Sequence, residues 1–396
     1  MSTKRSVITD EHVHDAFRKG RQFIEVLPNT IVTAQARETA QRLKIALRDG
    51  PLEQPLVVKT DGSTAMRRVL FRRHPAFEPP RRQSQRGAAK IPHLALVGAG
   101  GVGMNIAHLA ANCEMADNIS IIDVLPGAAE AVALDLQHSS GVSRSSTHLV
   151  GGTGLGLVAD ADVVVVTAGR PRTPGMTRAD LLTINGRVIN SVGEQIANLA
   201  PNAIVIVVSN PLDEMTFKML QVTGFPRERV LGMAGTLDSS RFRFALAKAA
   251  GVSVNAVEAI TLGSHGEEMV PVASKATIKD RSLDVFLSSQ QIEQCRMETI
   301  GGGAAVVGLK KTGSATLAPA QATVELLDHI RGARAGSVPV SVLLKGEYGI
   351  HDTVVGVPCK LGRSGVVEIV ELSLAEKEIA ELKAAAKAVK SRLESS

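Results

Sequence analysis

The 396-residue sequence has no tryptophan, one tyrosine and three cysteines. Each scarcity excludes something. Aromatic faces on which nucleic-acid bases could stack are nearly absent, so a nucleic-acid partner is not expected. Cys113, Cys295 and Cys359 lie far apart in the chain and match no metal-binding or redox spacing. They read as structural thiols in a reducing, cytoplasmic compartment, with no metal site. No apolar run approaches the roughly 18 residues that cross a bilayer. The N-terminus lacks the apolar core of a secretory signal, and Asp10, Glu11 and Asp15 argue against an organelle transit peptide. No internal repeat is visible. With 44% hydrophobic and 21% charged residues, the composition is that of a soluble globular protein longer than one ordinary domain.

The net charge of +6 is unevenly spread. Residues 1–90 hold 18 Lys and Arg against 9 Asp and Glu, whereas the remaining 306 residues hold 27 against 30. The basic excess therefore belongs to the N-terminal part. Asp10 to Lys19 reads as a short helix, capped by Thr9 or Asp10 and stopped by Gly20. Gln22 to Leu27 reads as a strand, Pro28-Asn29 as a turn, Thr33 to Arg48 as a helix and Pro55 to Lys59 as another strand. Residues 74–90, with Pro79-Pro80-Arg81-Arg82 and few apolar side chains, have the composition of a linker. The expected organisation is a small α/β appendage over 1–73, a linker over 74–90, a dinucleotide-binding domain over 91–234 and an α+β catalytic domain over 235–396.

The strongest local signal is Leu94-Ala-Leu-Val97 followed by Gly98, Gly100 and Gly103 in G-x-G-x-x-G spacing. A helix over Met104–Ala111 and a strand over Ile119–Ile122 come next, and the strand ends in Asp123. Gly98 lets the chain turn off the strand, Gly100 admits a pyrophosphate close to the backbone, and Gly103 lets the helix pack on the strand. A helix N-terminus suits phosphate. Asp123 is placed to accept hydrogen bonds from an adenosine ribose and to repel a 2′-phosphate, which favours NAD over NADP. Further along, a helix from about Gly127 to Gln137 precedes the apolar runs Asp162–Thr167 and Ala203–Val208. A long helix, Leu181–Leu199, separates those two runs. Continuous apolar strands alternating with helices predict a doubly wound parallel sheet. Ser373 and Glu376 spell a capping box for a closing helix with Ile379, Leu382, Val389 and Leu393 on one face.

Three further stretches carry chemistry. Ala168 to Arg178 is a Gly/Pro-shaped loop with Arg170, Arg172 and Arg178, a residue type that suits carboxylates because its fork donates two parallel hydrogen bonds. Asp238 and Arg241 sit three apart at the start of a helix, so on one face. His265 lies between Ser264 and Gly266, after an apolar strand. Read one by one, these are also compatible with a solvated basic loop, a surface ion pair and a structural histidine.

Together, over residues 91–396, these motifs resemble the lactate/malate dehydrogenase family, and most closely its bacterial malate dehydrogenase branch. The resemblance runs through Val97–Gly103, Thr167–Arg178, Val208–Asp213, Gly224–Gly235, Leu237–Arg243, Gly263–Pro271 and Gly346–His351. It implies a reversible hydride transfer between NAD and a small 2-hydroxy or 2-oxo dicarboxylate, in the tricarboxylic acid cycle. His265 would carry the proton and Asp238 would orient it. Arg241 would grip the C1 carboxylate, Arg178 would polarise the carbonyl, and Arg172 would meet the second carboxylate that distinguishes malate from lactate. Asn210 would touch substrate and nicotinamide. Asn185, Val208, Ser209 and Asn210 would line the cofactor beside Gly98, Gly100, Gly103 and Asp123. A homodimer or homotetramer is expected. The alternatives are a lactate or other 2-hydroxy-acid dehydrogenase, or a catalytically retired scaffold acting through its basic extension. Residues 26–37 are faintly similar to a segment of bacterial microcompartment enzymes, which implies a shell or assembly partner for residues 1–73.

Overall fold

The computed structural model describes residues 7–26, 30–49, 88–171, 178–311 and 313–394. The chain divides into two compact units, 1–84 and 85–396. The first unit comprises β1 (Val7–Ile8), α1 (Asp10–Arg18), β2 (Phe23–Val26), β3 (Ile31–Val32), α2 (Ala34–Arg42) and β4 (Ala46–Asp49). β1 pairs in parallel with β3, and β2 in parallel with β4. The same strand–helix–strand plan is thus built twice, although no repeat is visible in the sequence. The two copies share an apolar two-residue strand, a threonine before a nine-residue helix, Thr9 and Thr33, and an arginine that closes the helix, Arg18 and Arg42. The long helix expected over Thr33–Arg48 is corrected. α2 ends at Arg42, Lys44 takes a left-handed φ of 55°, and Ala46–Asp49 becomes a strand. Pairing of Leu47 with Ile24 and burial of Ile45 in the unit's small core outweigh the local helical spacing. The turn at Pro28-Asn29, the strand over Pro55–Lys59 and nearly all of the 74–90 linker lie outside the described residues.

The second unit starts with β5 (Ile91–Val97), α3 (Gly101–Asn112), β6 (Ala116–Ile122), α4 (Ala128–Ser143), β7 (His148–Gly152), β8 (Val163–Val166), α5 (Arg178–Leu199), β9 (Ile204–Val207), α6 (Leu212–Thr223) and β10 (Val230–Gly232). These strands lie in the order β10-β9-β8-β5-β6-β7, all parallel. The chain reverses direction across the sheet between β5 and β8, the switch point where such sheets open a crevice. Period-2 alternation explains why these strands are apolar throughout. Leu94, Leu96, Val163, Val165, Ile204 and Ile206 enter one core with α3 and α4. Ala95, Val97, Val164, Val166, Val205 and Val207 enter another with α5 and α6.

The chain continues with α7 (Gly235–Ala250), β11 (Val257–Gly263), β12 (Met269–Ile278), β13 (Arg281–Ser282), α8 (Ser289–Lys310), α9 (Leu317–Ile330), β14 (Ser337–Lys345), β15 (His351–Gly362), β16 (Gly365–Ile369) and α10 (Glu376–Glu394). These strands are antiparallel and extend the parallel sheet to twelve strands. Two joints are narrow: β10 meets β14 only at Gly232 and Ser341, and β11 meets β15 only at Gly263 and Gly356. Among the described residues no helix is long and apolar enough to cross a membrane.

Several helix boundaries differ from those read in the sequence; α5, for example, begins at Arg178 rather than Leu181. α3 begins at Gly101 rather than Met104, so Gly103 falls inside its first turn. α4 runs to Ser143, past Gln137. α10 begins at Glu376, and the residue that reaches back to cap it is Glu378, which accepts the Ala375 N–H at 3.1 Å. Glu378 also accepts the backbone N–H of Ser274 on β12 at 3.0 Å, a tertiary partner that the Ser373–Glu376 spelling does not reveal.

The glycine turn is shaped by contact. Gly98 has φ +113°, and a Cβ there would lie 2.5 Å from Thr167 Oγ1. A Cβ on Gly103 would lie 1.8 Å from the Gly98 carbonyl oxygen, whereas one on Gly100 would meet nothing within 4 Å. Gly103→Ala should therefore lower stability by about 1–3 kcal/mol or more, the scale of overpacking. Gly100→Ala should lose only the modest advantage of glycine at an N-cap. Thermal unfolding of the two variants compares them; equal losses would contradict this packing.

Candidate active site

The carboxyl ends of β5, β8 and β9 and the loop after β11 face a cavity of about 690 Å³. Its wall includes Gly100, Gly101, Val102, Thr167, Gly169, Arg170, Asn185, Val208, Ser209, Asn210 and His265. The glycine turn, the loop after β8 and the histidine thus converge on one space. Among the sequence-derived candidates, Gly98, Gly103, Asp123, Asp238 and Arg241 are not part of this wall. Arg172 lies outside the described residues. Arg178 opens α5, and its side chain is likewise outside the description.

Asp238 lies in the first turn of α7, where the helix dipole favours an anion. It is 2% exposed, and each oxygen has a cationic or titratable partner. Oδ2 meets His265 Nδ1 at 2.8 Å, and Oδ1 accepts from Arg241 Nη1 at 2.9 Å. The Ser239 hydroxyl locks α7 to the strand that leads to His265, accepting the Thr261 N–H at 2.8 Å. Arg241 passes α8 at Gly302, where a Cβ would lie 3.1 Å from its Cδ. A glycine inside a helix is unfavourable, and here it makes room for the arginine.

His265 keeps about a fifth of its side chain exposed. Burial pushes its pKa down, but the Asp238 carboxylate, through charge and hydrogen bond, and the nearby Asp213 outweigh that, so it sits above the ordinary histidine value. Asp213 is fully buried on α6 and accepts the His265 backbone N–H and the Ser264 hydroxyl on Oδ2, both at 2.8 Å, and the Ser341 hydroxyl on Oδ1 at 2.7 Å. Burial, joined by neighbouring Glu214, pushes its carboxyl up. Asp213 was not among the sequence-derived site residues; its signal is its place in the Val208–Asp213 stretch, three residues after Asn210. Lys310, also unanticipated, reaches the cavity and donates to the Ser314 carbonyl at 2.8 Å.

Asn185 is 1% exposed, and its amide staples the loop. Oδ1 accepts the Arg170 N–H at 2.7 Å, and Nδ2 donates to the Asn210 carbonyl at 2.6 Å and the Arg170 carbonyl at 3.2 Å. Ser209 Oγ donates to the Ala168 carbonyl at 2.5 Å. The Asn210–Pro211 peptide is cis. Asp123 follows β6, with Oδ2 accepting the Ala99 N–H at 2.7 Å and Oδ1 the Leu125 N–H at 3.0 Å, which fixes its carboxylate beside the glycine turn.

The sequence matches two family models, the lactate/malate dehydrogenase NAD binding domain over residues 92–232 and the lactate/malate dehydrogenase alpha/beta C-terminal domain over 235–396. The chain belongs to the lactate/malate dehydrogenase family. A malate dehydrogenase of Roseiflexus sp. (strain RS-1) is 40% identical over 302 residues, covering 76% of this chain and 97% of that one. The structure is similar to a malate dehydrogenase of Cryptosporidium parvum, with a TM-score of 0.75 and 34% identity over 77% of this chain and 98% of that one. It is also similar to a lactate dehydrogenase of the same organism complexed with lactic acid and nicotinamide adenine dinucleotide. There the TM-score is 0.74, with 33% identity over 78% of this chain and 98% of that one.

The residues present fit the family's dinucleotide. α3 points its N-terminus at the cavity, where first-turn N–H groups lack helical partners and favour phosphate. The space beside Gly100 is open. None of the three cysteines is in a disulfide; Cys295 and Cys359 are buried, and burial pushes the Cys359 thiol up to about 12, a value that suits packing rather than nucleophilic work.

In a nuclear magnetic resonance titration, His265 should lose its proton above the ordinary value of about 6.5. Asp238→Asn should move that titration down, because burial then acts against less opposing charge. The contribution of His265 to stability is fully present below its unfolded pKa and is lost as pH rises through the folded one. An unshifted titration in Asp238→Asn would contradict the role of the pair.

Proposed function

We propose that this chain is an NAD-dependent malate dehydrogenase that interconverts (S)-malate and oxaloacetate. The observation that carries this reading is the 2.8 Å Asp238–His265 pair, with His265 on the wall of a cavity shared with the glycine turn. When bound, NAD supplies the hydride chemistry. Asp238 holds Nδ1 and leaves Nε2 to exchange a proton with the substrate oxygen, donating during reduction and accepting during oxidation. Its charge also stabilises the imidazolium, part of the logic of an Asp–His pair. Arg241 grips the C1 carboxylate in this reading, and Arg178 polarises the reacting carbonyl. Gly98, Gly100, Gly103, Asp123, Asn185 and the Val208–Asn210 backbone hold the cofactor.

Substrate choice is assigned to Arg172. Oxaloacetate has a second carboxylate that pyruvate lacks, and in a closed site it needs a cationic partner. Charged hydrogen bonds of this kind contribute about 1.5–3 kcal/mol each, and without the carboxylate the arginine would be enclosed with its charge uncompensated. The relatives named malate dehydrogenase at about 40% identity support this choice over the lactate alternative and over a retired scaffold. Finer readings rest on the resemblance and the charge distribution alone: a cytoplasmic homodimer or homotetramer of the tricarboxylic acid cycle, with residues 1–73 an appendage joined through 74–90 to a cofactor half and a substrate half. The comparisons lend no support to packaging in a microcompartment.

The test is steady-state turnover over a panel of 2-oxo acids. Oxaloacetate should exceed pyruvate by at least about a thousandfold in kcat/KM, and NADH should exceed NADPH because Asp123 opposes a 2′-phosphate. Arg172→Gln should collapse the substrate ratio chiefly by loss of oxaloacetate activity, with Arg170→Gln as the parallel control. A wild-type enzyme that reduces both substrates equally well would defeat the malate reading and leave a dehydrogenase.

A further inference from the structure

Behind the His265 loop lies a charged cluster that the proton transfer does not use. Arg392, in the last turn of α10, is 23% exposed, and its partners include two carboxylates and a hydroxyl. Nε donates to Glu214 Oε1 at 2.6 Å, Nη1 to Glu268 Oε1 at 2.7 Å and Nη2 to Ser264 Oγ at 3.3 Å. Glu214 is 1% exposed and follows Asp213 on α6. Ser264 and Glu268 flank His265 on the loop between β11 and β12. A Cβ on Gly263 would lie 2.8 Å from the Glu268 carbonyl oxygen, so that loop closes tightly on itself.

The loop is therefore held from two sides. Asp213 takes the Ser264 hydroxyl and the His265 N–H from beneath. Arg392 takes Ser264 and Glu268 from α10 while anchored on buried Glu214. A planar guanidinium with donors in a fixed fork can span two carboxylates and a hydroxyl; an ammonium on a flexible stem cannot fix the same geometry. Ion pairs taken out of water contribute little net stability, and apolar replacements are often as stable. A gain in position is a physical reason for such a cluster to stand directly behind a proton carrier.

We propose that Arg392 is a positioning residue for His265, tying the His265 loop to α6 through Glu214, Ser264 and Glu268. This rests on the reading of His265 as the proton carrier. A displacement of about 1 Å of a reacting group can lower a rate by about a hundredfold, so a tether of this kind has a kinetic signature.

The test uses full-length protein as Arg392→Met, Arg392→Lys and the double variant Glu214→Gln/Arg392→Met. The double variant removes the buried carboxylate charge together with its guanidinium. Four quantities are read: Tm, NADH affinity, kcat/KM for oxaloacetate, and the proton resonance of the His265 Nδ1–H bonded to Asp238. Arg392→Met should lose both Tm and kcat/KM. The double variant should regain Tm and keep wild-type NADH affinity, yet remain about tenfold or more down in kcat/KM, with the His265 resonance shifted. Arg392→Lys should fall between. Recovery of kcat/KM together with Tm, or an unmoved His265 resonance, would reduce Arg392 to a structural residue. If the double variant does not fold, Glu268→Gln, at the more exposed end of the cluster, serves instead: lower kcat/KM at unchanged Tm supports the tether, and unchanged kcat/KM overturns it. Absence of wild-type turnover with oxaloacetate would instead defeat the functional reading, whereas the resonance shift would still report the tether.

Discussion

A carboxylate buried at 2% exposure is costly unless both of its oxygens are answered, and Asp238 meets that condition with His265 on one side and Arg241 on the other. Much of the site follows from this requirement. α7 must present its first turn to the end of β11, which the Ser239–Thr261 hydrogen bond enforces. The loop after β11 must turn sharply at Gly263, where φ is +86°. Arg241 must pass α8 where Gly302 leaves room. The imidazole then has one nitrogen committed to Asp238 and the other left for chemistry, with its proton affinity raised by the same carboxylate.

The parallel half supplies the opposite wall. Its strands β5, β8 and β9 are each pinned between two cores, with alternate residues of Val163–Val166 and Ile204–Val207 going to opposite faces. Their ends deliver Gly98, Thr167–Gly169 and Val208–Asn210 to one side of the sheet. Asn185 then fastens the second of these ends to the third through the carbonyls of Arg170 and Asn210. The antiparallel half joins this sheet through one narrow contact, Gly232 with Ser341, and within that half β11 meets β15 only at Gly263 and Gly356, so the His265 loop depends on side-chain anchors as well as on the ladder. Asp213 and Arg392 are those anchors.

Much of this architecture was legible in the sequence. Apolar β-branched runs fixed the parallel strands, and the spacing of Gly98, Gly100 and Gly103 located the switch-point turn, since each glycine answers a local steric demand. Asp238 and His265 were legible as members of ordered motifs, although neither alone distinguishes a site from a structural pair. Residues whose partners are distant in sequence were not legible. Arg392 and Glu214 are 178 positions apart, and no local pattern links them. Glu378 caps α10 while holding β12, a dual bond that a capping-box spelling cannot anticipate. In the first unit, Ala46–Asp49 carries helical spacing yet forms a strand, because pairing with Phe23–Val26 is a tertiary contact.

In the proposed mechanism His265, held by Asp238, carries the proton. Single-turnover oxidation of NADH by oxaloacetate in His265→Asn tests it most directly, with NADH affinity measured on the same sample. The expected result is unchanged NADH binding and a rate lower by about a hundredfold or more, the scale of general acid–base work. A near-normal rate with intact binding would contradict it and move the proton to another group on the cavity wall.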